Sequence, residues 1–95
     1  MIDQVVETTD IYEATYYYLN GCSLEEITGF KVNGKVACSL RFSKPGITQL
    51  QLTYLQGKAQ VNLLNFRRAY GQIASWLSKA KKEFKQKLKE SEGRV

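Results

Sequence analysis

The sequence predicts an α+β fold of helix, β-hairpin, short helix and long C-terminal helix. Three observations predict it. Between Asp10 and Asn20 the apolar residues recur at helical spacing and stop at Gly21. Asn33-Gly34 separates two runs that alternate in polarity with period two. From Phe66 to Phe84 apolar residues recur at alternating four- and three-residue steps. The 95 residues, 43% hydrophobic and 24% charged, suit one small domain with a modest core. Residues 1–90 are assigned to that domain, with 91–95 as a disordered tail.

In the first helix, residues 10–20, Asp10 can accept hydrogen bonds from the free N–H groups of the first turn, and Glu13 completes a capping-box-like pair. Ile11, Ala14 and Tyr18, with Tyr12, Tyr16 and Leu19, keep three- and four-residue spacing. Gly21 supplies the left-handed residue that ends the helix.

The hairpin spans residues 26–42. A two-residue type I′ turn at Asn33-Gly34 needs φ > 0 at both positions and fixes the register. One face then carries Ile27, Gly29, Val36, Cys38, Leu40 and Phe42, interrupted only by Lys31. This is the core face. The other face carries Glu26, Thr28, Phe30, Val32, Lys35, Ala37, Ser39 and Arg41, with Glu26 opposite Arg41 as a cross-strand ion pair.

Ser43-Lys44-Pro45-Gly46 reads as a loop, since Pro45 cannot continue a ladder. Ile47 to Gln56 fits a helix (Ile47, Leu50, Tyr54) or a strand (Leu50, Leu52, Tyr54). The helix is preferred, ended at Gly57. Residues 58–61 form an extended link. Asn62 caps the last helix, whose stripe is Phe66, Tyr70, Ile73, Leu77, Ala80 and Phe84, running to about Glu90. That helix is roughly 40 Å long, more than a body of this size needs, so its last turns should project into solvent or onto a partner.

Charge is strongly polarised. The first 30 residues hold six acids, no Lys and no Arg. All 14 basic residues follow, against Glu83, Glu90 and Glu92. Such polarity suits a polyanionic partner or association of unlike surfaces. Lys79, Lys81, Lys82, Lys85, Lys87 and Lys89 are offset only by Glu83. A solvated helix end explains them, and lysines there suit the helix dipole. Phosphate contact also explains them, and Arg67 and Arg68 would extend that face. The candidate nucleic-acid residues are Arg67, Arg68, Lys79, Lys82, Lys85 and Lys89. One continuous positive face would favour nucleic acid. Even scatter would favour a solvated or interaction surface. Insertion into a membrane surface is disfavoured, because Phe84 and Leu88 offer little apolar area.

Tyr16-Tyr17-Tyr18 with Tyr12 cover most of the first helix, so at least one ring should lie outside. Tyr12, Tyr16, Tyr17, Phe30 and Val32 are the candidate interaction surface.

Catalysis is not expected. There is no His, hence no commonest general base or zinc ligand. Two cysteines cannot build a structural zinc site alone. Glu25 and Glu26, adjacent on a strand, should point to opposite faces. No glycine run forms a phosphate loop. Cys22 and Cys38 are read as reduced, buried thiols. No leader or apolar span is visible, and the expected location is cytoplasmic.

Thr9-Asp10-Ile11-Tyr12, Ala14, Leu19, Gly21, Leu24 and Ile27, then Phe42, then Tyr54, Gly57, Ala59, Val61, Asn62 and Phe66 follow in an order that resembles a family of small prokaryotic and phage domains catalogued only as a domain of unknown function. The likeness covers about residues 7–78 and excludes the basic tail. The family often has Pro where this chain has Leu63. The resemblance implies a compact α+β domain of a bacterium or phage and carries over no catalytic residue.

The reading is a small non-enzymatic binding protein, without cofactor or metal, that contacts nucleic acid nonspecifically through its basic C-terminal helix. The alternative is a protein-interaction or homo-oligomeric adaptor, with a homodimer as one form, using the acidic Tyr-rich helix and the hairpin face.

Overall fold

Residues 4–92 are described by the computed structural model. The elements are β1 (Gln4–Thr8), α1 (Ile11–Leu19), β2 (Ser23–Val32), β3 (Lys35–Lys44), α2 (Ile47–Leu55) and α3 (Leu63–Glu92). The fold is α+β, as the sequence predicts, with one strand more than expected.

The β2–β3 hairpin keeps its expected register, from Val32↔Lys35 to Glu26↔Arg41. Asn33 and Gly34 have φ of 52° and 78°, as a type I′ turn requires. Both strands run further than residues 26–42, and the extension includes Ser43 and Lys44, which are strand rather than loop. A bulge between Leu24 and Glu26 inserts one residue into β2. It turns Leu24 inward and sends Glu25 to Ser43 Oγ (2.5 Å), on the face where Glu26 meets Arg41 (3.5 Å). The two carboxylates therefore share the outer face, against the alternation expected of adjacent strand residues.

The extra strand is β1. It pairs antiparallel with β3, Val6 opposite Phe42, giving the order β1-β3-β2. A third strand makes stable a sheet that two strands alone would leave marginal.

Asp10 caps α1 as expected, accepting the Tyr12 N–H at 2.9 Å. The reciprocal partner is not Glu13. The Asp10 N–H donates to Thr8 Oγ1 at 3.0 Å, and Glu13 is turned inward and buried. Gly21 and Gly57 close α1 and α2 in left-handed conformation. After α1, Cys22 N–H donates to the Tyr17 carbonyl and Gly21 N–H to that of Tyr18, the double bond pattern of a Schellman end. Residues 47–55 are helix rather than strand. Asn62 caps α3, its Oδ1 accepting the Asn65 N–H at 3.0 Å. α3 includes the first two residues of the expected tail, and the last three, 93–95, lie outside the described residues.

All three helices bury one sheet face. Tyr17 of α1, Ile47 of α2 and Ile73 of α3 meet Val6, Leu40 and Phe42. Cys22 and Cys38 are buried free thiols. α3 does not leave the body at once, because the Phe84 ring lies over Gly29 of β2. On the outer sheet face Val5, Glu7, Thr28, Val32 and Arg41 are exposed, and none of the described helices covers them.

Asn33→Pro is expected to lower stability by more than about 1 kcal/mol, because proline holds φ near −65° where the turn needs a positive value. Thermal unfolding followed by circular dichroism measures it, and an unchanged melting temperature would contradict the register.

Candidate nucleic-acid interface

α3 is a rod of 30 residues whose inner side is fixed by the core. Ala69 and Ile73 are buried, and Phe66, Tyr70, Trp76, Leu77, Ala80, Phe84 and Leu88 are half-buried along the same side. This anchoring decides what faces water. At ~100° per residue, Arg67, Arg68, Lys79, Lys82, Lys85 and Lys89 fall within an outward arc of about 120°. All six are exposed. Gly71, Ser75 and Ser78, also exposed, occupy the interval between Arg68 and Lys79. Glu83 and Glu90 fall on the flank of the arc, toward β2 for Glu83, which lines a hollow with Ile27. From Arg67 to Lys89 the face extends roughly 33 Å at 1.5 Å per residue. None of the six forms an ion pair among the described residues.

The acids behave differently. Glu7 and Glu26 flank Arg41 at 2.7 and 3.5 Å. The Glu7 hydrogen bond, above all, raises the Arg41 pKa still further. Asp10 caps α1 and accepts the Tyr54 hydroxyl at 2.8 Å. Glu13 accepts from Thr8 Oγ1 at 3.1 Å and from the Tyr17 hydroxyl. Glu25 holds Ser43. From Glu7 to Glu26, every carboxylate has a partner within the fold, although the Glu7 and Glu26 side chains stay about half exposed (52% and 56%). Asp3 lies outside the described residues.

The tyrosines are redistributed too. Tyr16 and Tyr17 belong to the core, with 6% and 0% exposure, and leave the proposed interaction surface. Their rings pack on Tyr54 and Phe42. Tyr12 stays half-exposed but stacks on Phe66 and Tyr70 of α3. Tyr18 meets Trp76 edge-on. Phe30 and Val32 lie on the outer sheet face, away from Tyr12, so these residues do not form one patch.

Sequence reasoning missed the buried polar group of Thr8, Glu13 and Tyr17. Its one signal was an acid three residues after a capping Asp, which also fits a capping box. Burial, then the Glu13 hydrogen bond, pushes the Tyr17 phenol far up. Burial and the Asp10 hydrogen bond push Tyr54 from 10.0 to about 12. Both protons are held more tightly folded than unfolded. The Tyr54 contribution is therefore fully present below pH 10.0 and is lost as pH rises through about 12, and that of Tyr17 persists to still higher pH. Urea unfolding between about pH 9 and 12 should show stability falling with pH. Tyr54→Phe should flatten the fall, and an unchanged slope in that variant would contradict the assignment.

Among the described residues no cluster of three or more His, Cys, Asp or Glu is placed to hold a metal ion. No helix among them is long and apolar enough to cross a membrane. No protein-family model, curated protein or solved structure matches the chain.

Proposed function

We propose that this protein binds nucleic acid without sequence preference, through the outward face of α3. The carrying observation is that face itself: six exposed cations in one arc, unpaired and uninterrupted by acid among the described residues. Arg41 on the sheet is the contrast, held between two glutamates. A row of unpaired Lys and Arg attracts phosphates and releases their counterions, a contribution that carries no sequence information by itself. A straight helix that presents cations over roughly 33 Å can meet several backbone phosphates at once.

The test is titration of fluorescent duplex and single-stranded DNA at several salt concentrations. At ~0.9 per neutralised phosphate, four to six contacts give a slope of log K against log[salt] of about −4 to −5 on duplex. Substitution isolates the charge better than deletion, since Phe84 supports the fold at Gly29. Lys82→Gln/Lys85→Gln/Lys89→Gln should reduce the slope by about 3 and weaken binding at every sequence alike. No binding by the unaltered protein at low salt would remove the reading. Full binding by the triple variant would move the site off α3.

A further inference from the structure

The sheet treats its two edges differently. Along β1, α2 packs against the strand, and Gln4 Oε1 accepts a hydrogen bond from Thr48 Oγ1 at 2.7 Å. The other edge is β2, ten residues long, bulged only at its start. Its register fixes which groups face outward. Val32 and Lys35 close a two-residue hairpin and form a hydrogen-bonded pair, so such pairs recur at Phe30–Ala37, Thr28–Ser39 and Glu26–Arg41. The N–H and C=O groups of Ile27 and Gly29 therefore point away from β3. Beside them, between β2 and α3, lie two adjoining hollows of about 370 and 380 Å³. Ile27, Trp76, Ala80 and Phe84 give them apolar walls, and Glu83 and Lys87 rim them. An open strand edge of this length is a template for another strand.

We propose that the β2 edge joins two copies of this chain, antiparallel about a two-fold axis near Gly29, into one six-stranded sheet. Charge selects the occupant. β2 begins with Glu25 and Glu26 and ends at Val32, beside Lys35. A two-fold axis normal to the sheet sets the start of one strand against the end of the other. Glu26 then comes opposite Val32 of the second copy, with Lys35 one strand further on the same outer face, near enough for the two long side chains to attract, and the same arrangement forms again across the axis. Glu83 and Lys87, of opposite sign one turn apart, are self-complementary under the same operation. Thr28 comes opposite Phe30 of the second copy, and Val32, 49% exposed in the single chain, gains a neighbour. This interface is independent of what α3 binds.

The test combines sedimentation equilibrium on the full chain, from roughly 1 µM to 1 mM, with residue-resolved amide exchange. The mass should double with concentration, and the Ile27 and Gly29 amides should become protected in step. Glu26→Lys and Lys35→Glu should each raise the dissociation constant about tenfold, since each turns two attractions across the interface into repulsions. The double charge swap should return it to within about threefold of the original. Circular dichroism confirms that the variants are folded. A monomer throughout the range, a dimer that leaves these two amides unprotected, or single variants without effect would each overturn the proposal.

Discussion

Tyr17→Ala is expected to destabilise the protein by about 3–5 kcal/mol, the range for truncating a buried aromatic side chain. Tyr17 is fully buried, packs its ring on Phe42 at 5.7 Å and on Tyr16 at 6.1 Å, and donates its hydroxyl to Glu13. Alanine leaves a cavity beside Phe42 and takes one of the two hydroxyl donors from a buried carboxylate. Against a total of roughly 5–15 kcal/mol for a domain, that brings the fold near its limit. At about 4–8 °C per kcal/mol for a domain of this size, the melting temperature should fall by more than about 12 °C. Tyr17→Phe separates the contributions: it keeps the ring and costs about 1–3 kcal/mol for the lost donor alone. Urea unfolding of both variants measures them. A drop of less than about 3 °C for Tyr17→Ala would mean that the ring is not in the core.

Gly29→Val is expected to cost about 2–3 kcal/mol through overpacking. A Cβ at position 29 would lie 2.5 Å from Phe84 Cγ, 2.7 Å from Cδ2 and 3.0 Å from Cβ. These atoms are the root of the ring rather than its tip, so rotating the side chain does not relieve the clash. The second half of α3 must shift away from β2. Trp76, in the wall of the same groove, should report the shift as red-shifted fluorescence. Phe84→Ala should cost stability alone but return part of what Gly29→Val loses. That coupling, read by a double-mutant cycle, distinguishes a clash at one point from general strand damage. Additive losses would contradict the contact.

The same residues show why some of the fold was legible and some was not. Asn33-Gly34 determines a turn type by itself, and the turn type determines the register, so the hairpin follows from two adjacent residues. The α3 face depends only on helical period, so Arg67 and Lys89, far apart in sequence, could be placed on one side before any tertiary contact was known. β1 is different. Five residues, Gln4 to Thr8, have little pattern of their own and become a strand because the free side of β3 accepts them. The bulge at Glu25 depends on Ser43 across the sheet, and no local rule announces it. Three consecutive tyrosines give no sign of which ring turns inward, since α1 has neighbours on more than one side. Glu13 satisfied a helix-end rule so well that its alternative use, in the interior with Thr8 and Tyr17, had no separate signal.

The central place of β3 orders the assembly of the sheet in time. Its β2 side closes through a two-residue turn, while its β1 side pairs Val6 with Phe42 across most of the first half of the chain. Closing the longer loop costs more chain entropy before any contact rewards it. The hairpin is therefore the natural early nucleus, and the N-terminal strand docks onto a surface already made. Changes at Asn33-Gly34 then act chiefly on how fast the protein folds, and changes in β1 on how fast it comes apart.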